Sequence, residues 1–332
     1  MKKLILTISA AFNLFKVRFL KKRVPLVIGW ALTKRCNYRC KYCRIWRTSV
    51  GELSTKEICI IINEMADMGL KKVSFTGGEP LLRDDIGKII DYACGKNVSV
   101  AINSNGSLIK EKLLEIKKIS SLGLSLEGPE EIHDSLRQNG SFQCILEAAR
   151  LATANNINVT FNTTLNTYNF DHIDFLLRLA ERYNAQIIFQ PSTYKVLEGT
   201  EDNPVSLSPE KYSQAMKMIL ERKKYRYRKI IRNSIAGLVH LSQWPNLKMI
   251  RCASGLISCR IEPDGGIFHC ARMKDKMTTP LNCKEMGFKN AFYGLRPILC
   301  NDCSCALRVE ASYILKLDIS ALINAYLCER MS

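Results

Sequence analysis

The fold of this chain is decided by residues 24–43, which read Val24-Pro-Leu-Val-Ile-Gly-Trp-Ala-Leu-Thr-Lys-Arg-Cys-Asn-Tyr-Arg-Cys-Lys-Tyr-Cys43. An apolar run with the length of a buried strand ends here in a polar loop that carries three cysteines. Their spacing, Cys36-x3-Cys40-x2-Cys43, lets three thiolates close on one metal centre from a single loop. Three ligands leave one iron of a cluster open to another molecule. The segment therefore predicts a strand that ends in an iron-sulfur site.

Two other interpretations of these cysteines compete with a cluster. A cysteine is often a small buried apolar residue, but the stretch from Lys34 to Arg44 is too polar and charged for a core position. Clustered thiolates also suit structural zinc, which usually takes paired Cys-x2-Cys knuckles that this group lacks. The pattern favours a cluster over both.

Apolar runs alternate with amphipathic segments as far as Gln190. The amphipathic segments have helix length and apolar residues at 3.6 spacing. Strands that alternate with helices specify a parallel sheet, although the pattern does not decide between an open sheet and a barrel. The predicted strands are Pro25 to Thr33, Lys72 to Thr76, Ser99 to Ser104, Leu122 to Leu126, Asn158 to Leu165 and Gln186 to Gln190. The predicted helices lie near Ser54 to Met68, Asp84 to Lys96, Leu108 to Lys118, Phe142 to Asn155 and Phe170 to Tyr183.

Three further motifs follow the last residues of predicted strands. They read Thr76-Gly-Gly-Glu-Pro80, Asn103-Ser-Asn-Gly106 and Ser125-Leu-Glu-Gly-Pro129, and Arg137 lies a few residues after the last. The carboxyl ends of parallel strands gather at one end of a sheet. These turns and the cysteine loop are therefore expected at one mouth.

With Tyr42 before the last cysteine, the loop resembles the Cys-x3-Cys-x-aromatic-Cys signature of the radical S-adenosylmethionine (SAM) superfamily. The Gly-Gly-Glu-Pro turn resembles the SAM-binding motif of that family, and the other two motifs resemble its third and fourth strand ends. The resemblance implies a partial (β/α)6 barrel. It also implies a [4Fe-4S] cluster on Cys36, Cys40 and Cys43, with SAM at the open iron.

The resemblance further implies which residues surround SAM. Gly78 would let the backbone approach the SAM amino group, and Glu79 would place a negative charge beside it. Tyr42 is expected near the adenine and Arg137 near the carboxylate, while Asn105 and Ser125 are suited to the ribose hydroxyls. No catalytic acid or base is assigned beyond the cluster. The complete predicted SAM-binding set is Tyr42, Gly77, Gly78, Glu79, Pro80, Asn105, Ser125 and Arg137.

A second group of cysteines begins at Cys252. Ile261 to His269 reads as a β-hairpin with Asp264-Gly265 at its turn, and Cys300-x2-Cys303 has knuckle spacing, so a zinc ribbon is one interpretation. The region resembles the auxiliary-cluster region of SPASM and twitch radical SAM proteins, and the shorter twitch form with one second [4Fe-4S] cluster fits better. Cys259 and Cys305 depart from the pattern. The ligands implied by the resemblance are Cys252, Cys270, Cys300 and Cys303.

The composition of the 332 residues is that of a globular protein, but the charge is unusual. The net charge is +18, and Met1 to Gly51 contains thirteen Lys or Arg and no Asp or Glu. The chain has fourteen cysteines, several at metal-ligand spacing, and is too long for a small disulfide scaffold. A reducing, cytoplasmic compartment is therefore expected.

Two basic segments each allow two interpretations. Residues 1–23 combine a short apolar run with Lys16-Val-Arg-Phe-Leu-Lys-Lys-Arg23, too short to span a bilayer and without a cleavage site. They predict a basic amphipathic helix, either on an anionic membrane surface or packed on the body. The run Glu221 to Lys229 could bind phosphates or nucleic acid, but a solvated helix face is favoured.

Four parts are predicted along the chain. Residues 1–23 form the basic segment, residues 24–192 the partial barrel, and residues 193–248 a linker followed by a long helical region to about Gln243. Residues 249–332 form the auxiliary-cluster region with a C-terminal helix.

Three functions follow as hypotheses. The first is reductive cleavage of SAM to a 5′-deoxyadenosyl radical, which abstracts hydrogen to oxidise or modify a peptide or small molecule, with flavodoxin or ferredoxin as electron donor. The second keeps this chemistry but makes the substrate a lipid, because residues 1–23 are basic and apolar. The third is an iron-sulfur protein that binds nucleic acid, which is disfavoured because it leaves the Gly-Gly-Glu-Pro turn without a purpose. A cytoplasmic location is expected, peripheral at the inner membrane surface if residues 1–23 bind there.

Overall fold

The first part of the chain contains six parallel strands of one sheet. The computed structural model describes residues 12–271, 281–300 and 303–330. The strands lie side by side in their order along the chain, as repeated strand-helix units produce, and all six were predicted. They are β1 Val27–Thr33, β2 Lys72–Gly77, β3 Ser99–Ser104, β4 Ser121–Ser125, β5 Asn158–Leu165 and β6 Gln186–Pro191.

Helices between these strands complete the predicted alternation. They are α2 Thr55–Asp67, α3 Ile86–Gly95, α4 Ile109–Ile116, α5 Glu130–Leu136, α6 Ser141–Ala154 and α7 Ile173–Arg182, while α1, described over residues 12–18, precedes β1. Helix α5 was not predicted, since seven residues carry too little apolar period. Helix α2 shows the local rules at work, because Ser54 and Glu57 form a capping box at its start. Its apolar face is buried in the same core as the strands.

Strand β1 lies inside the molecule. Ile28, Trp30 and Leu32 on one face are fully buried, and so is Ala31 on the other. Burial on both faces explains the continuous apolar run, which is typical of parallel strands covered by other elements. The strand thereby fixes the position at which the cysteine loop begins.

The long helix predicted after β6 is broken in two. Helix α8 covers Pro209–Tyr225 and α9 covers Ile235–Leu241. Between them the backbone pairs with β6, since the Ile187 amide donates to the Ile230 carbonyl and the Arg232 amide donates to the Ile187 carbonyl, both at 2.8 Å. Covering the edge strand of the sheet overrides the helical pattern at this point.

The C-terminal region joins the barrel sheet instead of standing apart. Strand β8 pairs in parallel with β1, and β9 completes the predicted hairpin, so the sheet order is β6-β5-β4-β3-β2-β1-β8-β9. The division of the chain at residue 249 thus stays a proposal. The remaining elements are β7 Ile250–Arg251, β8 Ser258–Ile261, β9 Ile267–Phe268, β10 Leu299–Cys300, α10 Cys283–Met286, α11 Phe288–Gly294, α12 Ala306–Leu315 and α13 Ile319–Arg330.

Helix α1 packs on this C-terminal region. Its Val17 belongs to a small second core with Val24, Leu256 and Leu315. None of the described helices is long and apolar enough to cross a membrane.

Candidate active site

The carboxyl ends of β1 and β2 meet at the cysteine loop. The Gly78 amide donates to the Thr33 carbonyl at 2.8 Å. The Glu79 amide donates to the Arg35 carbonyl at the same distance. A Cβ on Gly77 or Gly78 would collide with these two carbonyl oxygens. Close contact with the backbone that leads into the cysteine loop therefore requires both glycines.

Glu79 is fully buried and ties two strand ends together. Its carboxylate accepts hydrogen bonds from the Asn105 amide at 2.8 Å, the Ser104 hydroxyl at 3.0 Å and the Leu81 amide at 3.2 Å. Burial raises the pKa of Glu79 to about 7, and these donors oppose the rise. Pro80 begins a short 3-10 turn directly after it. The carboxylate expected beside the SAM amino group thus also holds the β2 and β3 turns in place.

The two side chains predicted for the ribose differ in their partners. Asn105 Nδ2 donates to Asn37 Oδ1 at 2.8 Å, and Asn105 Oδ1 accepts from the Ser107 amide at 3.0 Å. Asn105 therefore links the end of β3 to the cysteine loop. Ser125 is half-buried at the end of β4, and its hydroxyl has no hydrogen-bond partner within the described ranges. Of the two, Ser125 is the better placed to meet a ligand.

Tyr42, Glu127 and Arg137 form a buried group beside the cysteine loop. The Tyr42 hydroxyl donates to Glu127 Oε1 at 2.6 Å, and Arg137 donates to the same oxygen at 2.8 Å. Glu127 Oε2 is buried without a hydrogen-bond partner among the described residues. One carboxylate oxygen is therefore left for a ligand donor. Glu127 was not among the predicted residues, although its place in Ser-Leu-Glu-Gly was a signal.

The thiols of Cys36, Cys40 and Cys43 lie in one electrostatic environment. Burial raises the pKa of all three, that of Cys43 to about 11, and the Arg137 guanidinium opposes the rise at each. Three thiols with a cation nearby fit a cluster that takes an anionic outside ligand. In the described ranges, no three Cys, His, Asp or Glu side chains are already arranged to hold a metal ion.

A loop after β6 covers the cysteine loop, which no sequence pattern predicted. The Leu197 amide donates to the Tyr42 carbonyl at 2.9 Å, and the Arg44 amide donates to the Leu197 carbonyl at 2.8 Å. Leu197 thereby pairs with the backbone on both sides of Cys43. The cysteine loop is held from this side as well as from the β2 turn.

Lys34 links the same loop to the C-terminal region. Its buried Nζ lies 2.9 Å from Glu198 Oε1 and 2.5 Å from Glu262 Oε2. Glu262, just after β8, also pairs with Arg260 at 2.5 Å. Three segments far apart in the sequence thus meet in one buried ion-pair network, which explains why local patterns did not predict it.

Four thiols gather around that of Cys303 in the C-terminal region. Burial raises the pKa of Cys303, and the nearby thiols of Cys305, Cys252, Cys300 and Cys270 raise it further. The four predicted ligands therefore lie in one neighbourhood, and Cys305 joins them. The antiparallel pair β7 and β10 brings Cys300 beside the segment that leads into Cys252.

Cys259 and Cys283 lie apart from that group. Cys259 is buried within β8, and burial raises the pKa of both thiols, with Cys259 adding to the rise at Cys283. They are neighbours of each other in the core. We therefore propose Cys259 as a packing residue, whereas Cys305 lies near the predicted ligand Cys303.

The basic run from Glu221 to Lys229 is exposed at six of its nine residues and engaged in structure at others. Arg222 pairs with Asp174 at 2.7 Å. The buried Lys223 donates to the Ile231 carbonyl at 2.6 Å. These contacts agree with the interpretation as a helix face and its end, and they supply no readout of nucleic acid.

Comparisons with known proteins agree with this site. Residues 30–180 match the family model of the radical SAM superfamily. The chain is 32% identical over 214 residues to Fe-coproporphyrin III synthase of Methanosarcina barkeri, over 62% of this chain and 53% of that protein. It is 28% identical over 285 residues to mycofactocin maturase MftC of Mycobacterium tuberculosis, over 81% of this chain and 70% of that protein. In fold it resembles Streptococcus suis SuiB bound to S-adenosylmethionine, with a TM-score of 0.69 and 16% identity over 86% of this chain and 69% of that one.

These findings show that residues 30–180 belong to the radical SAM superfamily. The parallel sheet with its site at the strand ends is the partial barrel of this superfamily. SAM and a [4Fe-4S] cluster are the cofactors of the class, as predicted. The chain spans only 53% of the length of Fe-coproporphyrin III synthase. Its own substrate and partners are therefore matters for proposal.

Proposed function

We propose that this enzyme cleaves SAM reductively and uses the resulting 5′-deoxyadenosyl radical to oxidise a peptide. The observation that carries the proposal is the meeting of the cysteine loop with the Gly-Gly-Glu-Pro turn, through the hydrogen bonds of Gly78 and Glu79. A cluster held by Cys36, Cys40 and Cys43 supplies the electron for cleavage when it is bound. Every other part of the reaction depends on how the protein positions and shields SAM.

The residues around the cysteine loop supply that positioning. Arg137 offers a buried positive charge to the SAM carboxylate, and Glu127 Oε2 and the Ser125 hydroxyl offer acceptors to its hydroxyl groups. The remaining members of the predicted set act mainly by shaping the turns. The loop at Leu197 and the buried Lys34 network exclude water from one side. Exclusion of water protects a radical from quenching.

The thiols around Cys303 are proposed to hold a second [4Fe-4S] cluster. Four of them, Cys252, Cys270, Cys300 and Cys303, are the proposed ligands, and Cys305 is the alternative to one of these. A second cluster would accept the electron that remains after hydrogen abstraction from the substrate. The net change is then a two-electron oxidation.

A peptide is the proposed substrate because two of the similar proteins handle peptides. One is the mycofactocin maturase, and SuiB has also been crystallised bound to precursor peptide SuiA. The competing substrate class is a tetrapyrrole, because the chain is also similar to Fe-coproporphyrin III synthase. None of these comparisons supports a lipid substrate.

The test is an anaerobic assay of the reconstituted, reduced enzyme with each substrate class. We expect 5′-deoxyadenosine to form from SAM, and a peptide encoded beside the gene to lose two hydrogens by mass spectrometry. Formation of Fe-coproporphyrin III from a tetrapyrrole precursor, with an unchanged peptide, would replace the peptide proposal. No 5′-deoxyadenosine from protein with intact clusters would contradict SAM cleavage itself.

The electron donor is proposed to be a flavodoxin or ferredoxin in the cytoplasm. Reduction of the enzyme by such a donor, followed as 5′-deoxyadenosine formation without dithionite, tests this. An anionic membrane surface is the remaining predicted partner, and its support lies in the N-terminal helix rather than in the active site.

A further inference from the structure

Helix α1 and the residues just after it present an exposed aromatic face. The side chains of Phe12, Phe15, Phe19 and Leu20 are 56%, 48%, 57% and 54% exposed. Across the described ranges, every other phenylalanine is buried or half-buried. The rings of Phe15 and Phe19 lie 5.0 Å apart and form one patch. Contiguous apolar surface of this kind marks an interaction site.

The opposite face of α1 is fixed to the body of the protein. Val17 and Asn13 are buried, Val17 against the C-terminal region. Arg23, just after the helix, donates to the main-chain carbonyls of Gly255 at 2.5 Å and Phe292 at 2.6 Å. The segment is therefore anchored at both ends of its buried face, and the aromatic side is held toward solvent.

Basic side chains are interleaved with the exposed rings. Lys16 Nζ lies 4.4 Å from the centre of the Phe12 ring, and the Arg18 guanidinium lies 5.7 Å from that of Phe19. Lysines at 21–22 follow. In the described part of the chain none of these four basic residues has a carboxylate partner, and the first 51 residues contain no Asp or Glu. The patch is thus apolar and strongly positive at once.

The same surface continues onto the C-terminal helices. Arg18 and Lys316 line one small cavity together with Val17 and Leu315. Directly beyond Lys316, at the turn between α12 and α13, Leu317 and Ile319 are exposed. An edge with the exposed Lys316 and two exposed apolar side chains therefore lies next to α1, and the half-buried Asp318 between them accepts from the Ser320 hydroxyl at 2.7 Å.

We propose that this surface, residues 12–22 together with the turn at 316–319, docks on an anionic lipid bilayer. The rings enter the boundary between headgroups and acyl chains, while the lysines and Arg18 meet lipid phosphates. A second copy of this chain fits less well. A two-fold pairing would place the same unpaired cations against one another.

The docked orientation leaves the active site facing away from the bilayer. Asn13 lies beside Gly69, which precedes β2, because a Cβ on that glycine would be 3.5 Å from Asn13 Nδ2. Helix α1 is therefore near the amino ends of β1 and β2, whereas the cysteine loop is at their carboxyl ends. The bilayer recruits the enzyme, and the mouth stays open to the aqueous phase for a substrate that is not a membrane lipid.

The test is sedimentation of the full-length, reconstituted enzyme with vesicles. We expect it to bind phosphatidylcholine vesicles that contain about 30% phosphatidylglycerol at least about tenfold more tightly than phosphatidylcholine alone. Phe12→Ser/Phe15→Ser/Phe19→Ser should lower binding to the anionic vesicles at least about tenfold. Lys16→Glu/Arg18→Glu, which keeps the aromatic face and changes a half-buried and an exposed side chain, should remove the preference for anionic lipid.

Matched controls are available on α4, where Leu114 is 79% exposed. Leu114→Ser and Lys110→Glu/Lys117→Glu should bind like wild type, within about twofold. All variants should still form 5′-deoxyadenosine in solution, which separates failure of docking from failure of the proposed chemistry. Equal wild-type binding to neutral and anionic vesicles would overturn the proposal. So would a concentration-dependent dimer that the aromatic variant abolishes.

Discussion

The two cysteine groups of this protein are built in opposite ways. Cys36, Cys40 and Cys43 come from one loop that is held by backbone hydrogen bonds from the β2 turn and from Leu197. The thiols around Cys303 come from separate segments. Neighbouring thiols add to the pKa rise at Cys43 as they do at Cys303, but at Cys43 the Arg137 guanidinium opposes the rise.

This difference indicates what each group is able to bind. Thiols beside a cation suit a centre with an anionic outside ligand, because the cation stabilises both the thiolates and that ligand. A group of five thiols can supply all four ligands of a cluster from the protein. The first group is therefore suited to an open cluster with SAM, and the second to a closed one.

Removing each group in turn gives the largest expected contrast. Cys36→Ala/Cys40→Ala/Cys43→Ala should reduce 5′-deoxyadenosine formation to background and remove about half of the iron. Cys300→Ala/Cys303→Ala should lose a similar share of iron yet still cleave SAM, while the oxidised product disappears. Chromatography of the products checks both. If the Cys36→Ala/Cys40→Ala/Cys43→Ala variant still cleaves SAM, the proposed difference between the two cysteine groups is wrong.

Gly78→Ala tests the backbone support of the first group. The new Cβ collides with the Arg35 carbonyl, which is backbone and cannot swing away. We expect a loss of roughly 3–4 kcal/mol in the free energy of unfolding, measured in urea, and weakened SAM binding. Gly95→Ala is the control, since nothing lies within 4 Å of its Cβ position. Equal stability of the two variants would contradict this account of the turn.

Glu127→Gln tests the buried charges beside the first group. The change leaves the buried Arg137 guanidinium without its carboxylate and should cost about 3 kcal/mol of stability. SAM affinity should fall as well, because the guanidinium is no longer oriented. Glu147→Gln, at an exposed pair with Arg150, should leave the free energy of unfolding close to that of the wild type. A Glu127→Gln variant as stable as this control would argue against the buried group.

We expect the free energy of unfolding to depend on pH through Glu310, which lies on α12 in the C-terminal region. Its carboxylate accepts from the Ser234 amide at 2.8 Å, and burial raises the pKa of Glu310 to about 7. Because the folded pKa exceeds the unfolded one, the stability contribution is present below the unfolded pKa and is lost as pH rises through 7. Glu310→Gln should reduce the decline in unfolding free energy between about pH 5 and pH 8 by about 2 kcal/mol. If the unfolding free energies of the wild type and of Glu310→Gln, measured in urea, change equally with pH, this account of Glu310 is wrong.

The smallest effects are expected from Cys259→Ser and Cys305→Ser, at the two cysteines that depart from the ligand pattern. Cys259→Ser should leave the iron content unchanged, because Cys259 lies in the core away from the group around Cys303. Cys305→Ser should also keep all of the iron if the four proposed ligands suffice. Iron analysis checks both variants. If Cys305→Ser loses iron, Cys305 replaces one of the four proposed ligands.

The parts of this molecule that follow local rules could be predicted from the sequence. The six strands, the hairpin at Asp264-Gly265 and the cysteine loop depend on short apolar runs, turn residues and spacing. The pairing of β8 with β1 and the break after Tyr225 depend on which sheet edge each segment meets. The same holds for Glu127, whose two partners are 85 and 10 residues away in sequence. Such contacts have no local signal.

Electron paramagnetic resonance of the reduced enzyme tests the central claim, that the first group holds an open iron for SAM. The variant Cys300→Ala/Cys303→Ala isolates the first cluster, and Cys36→Ala/Cys40→Ala/Cys43→Ala isolates the second. Adding SAM should change the g values of the first cluster and leave those of the second unchanged. An unchanged spectrum in the first case, or a SAM-dependent shift in the second, would contradict the account.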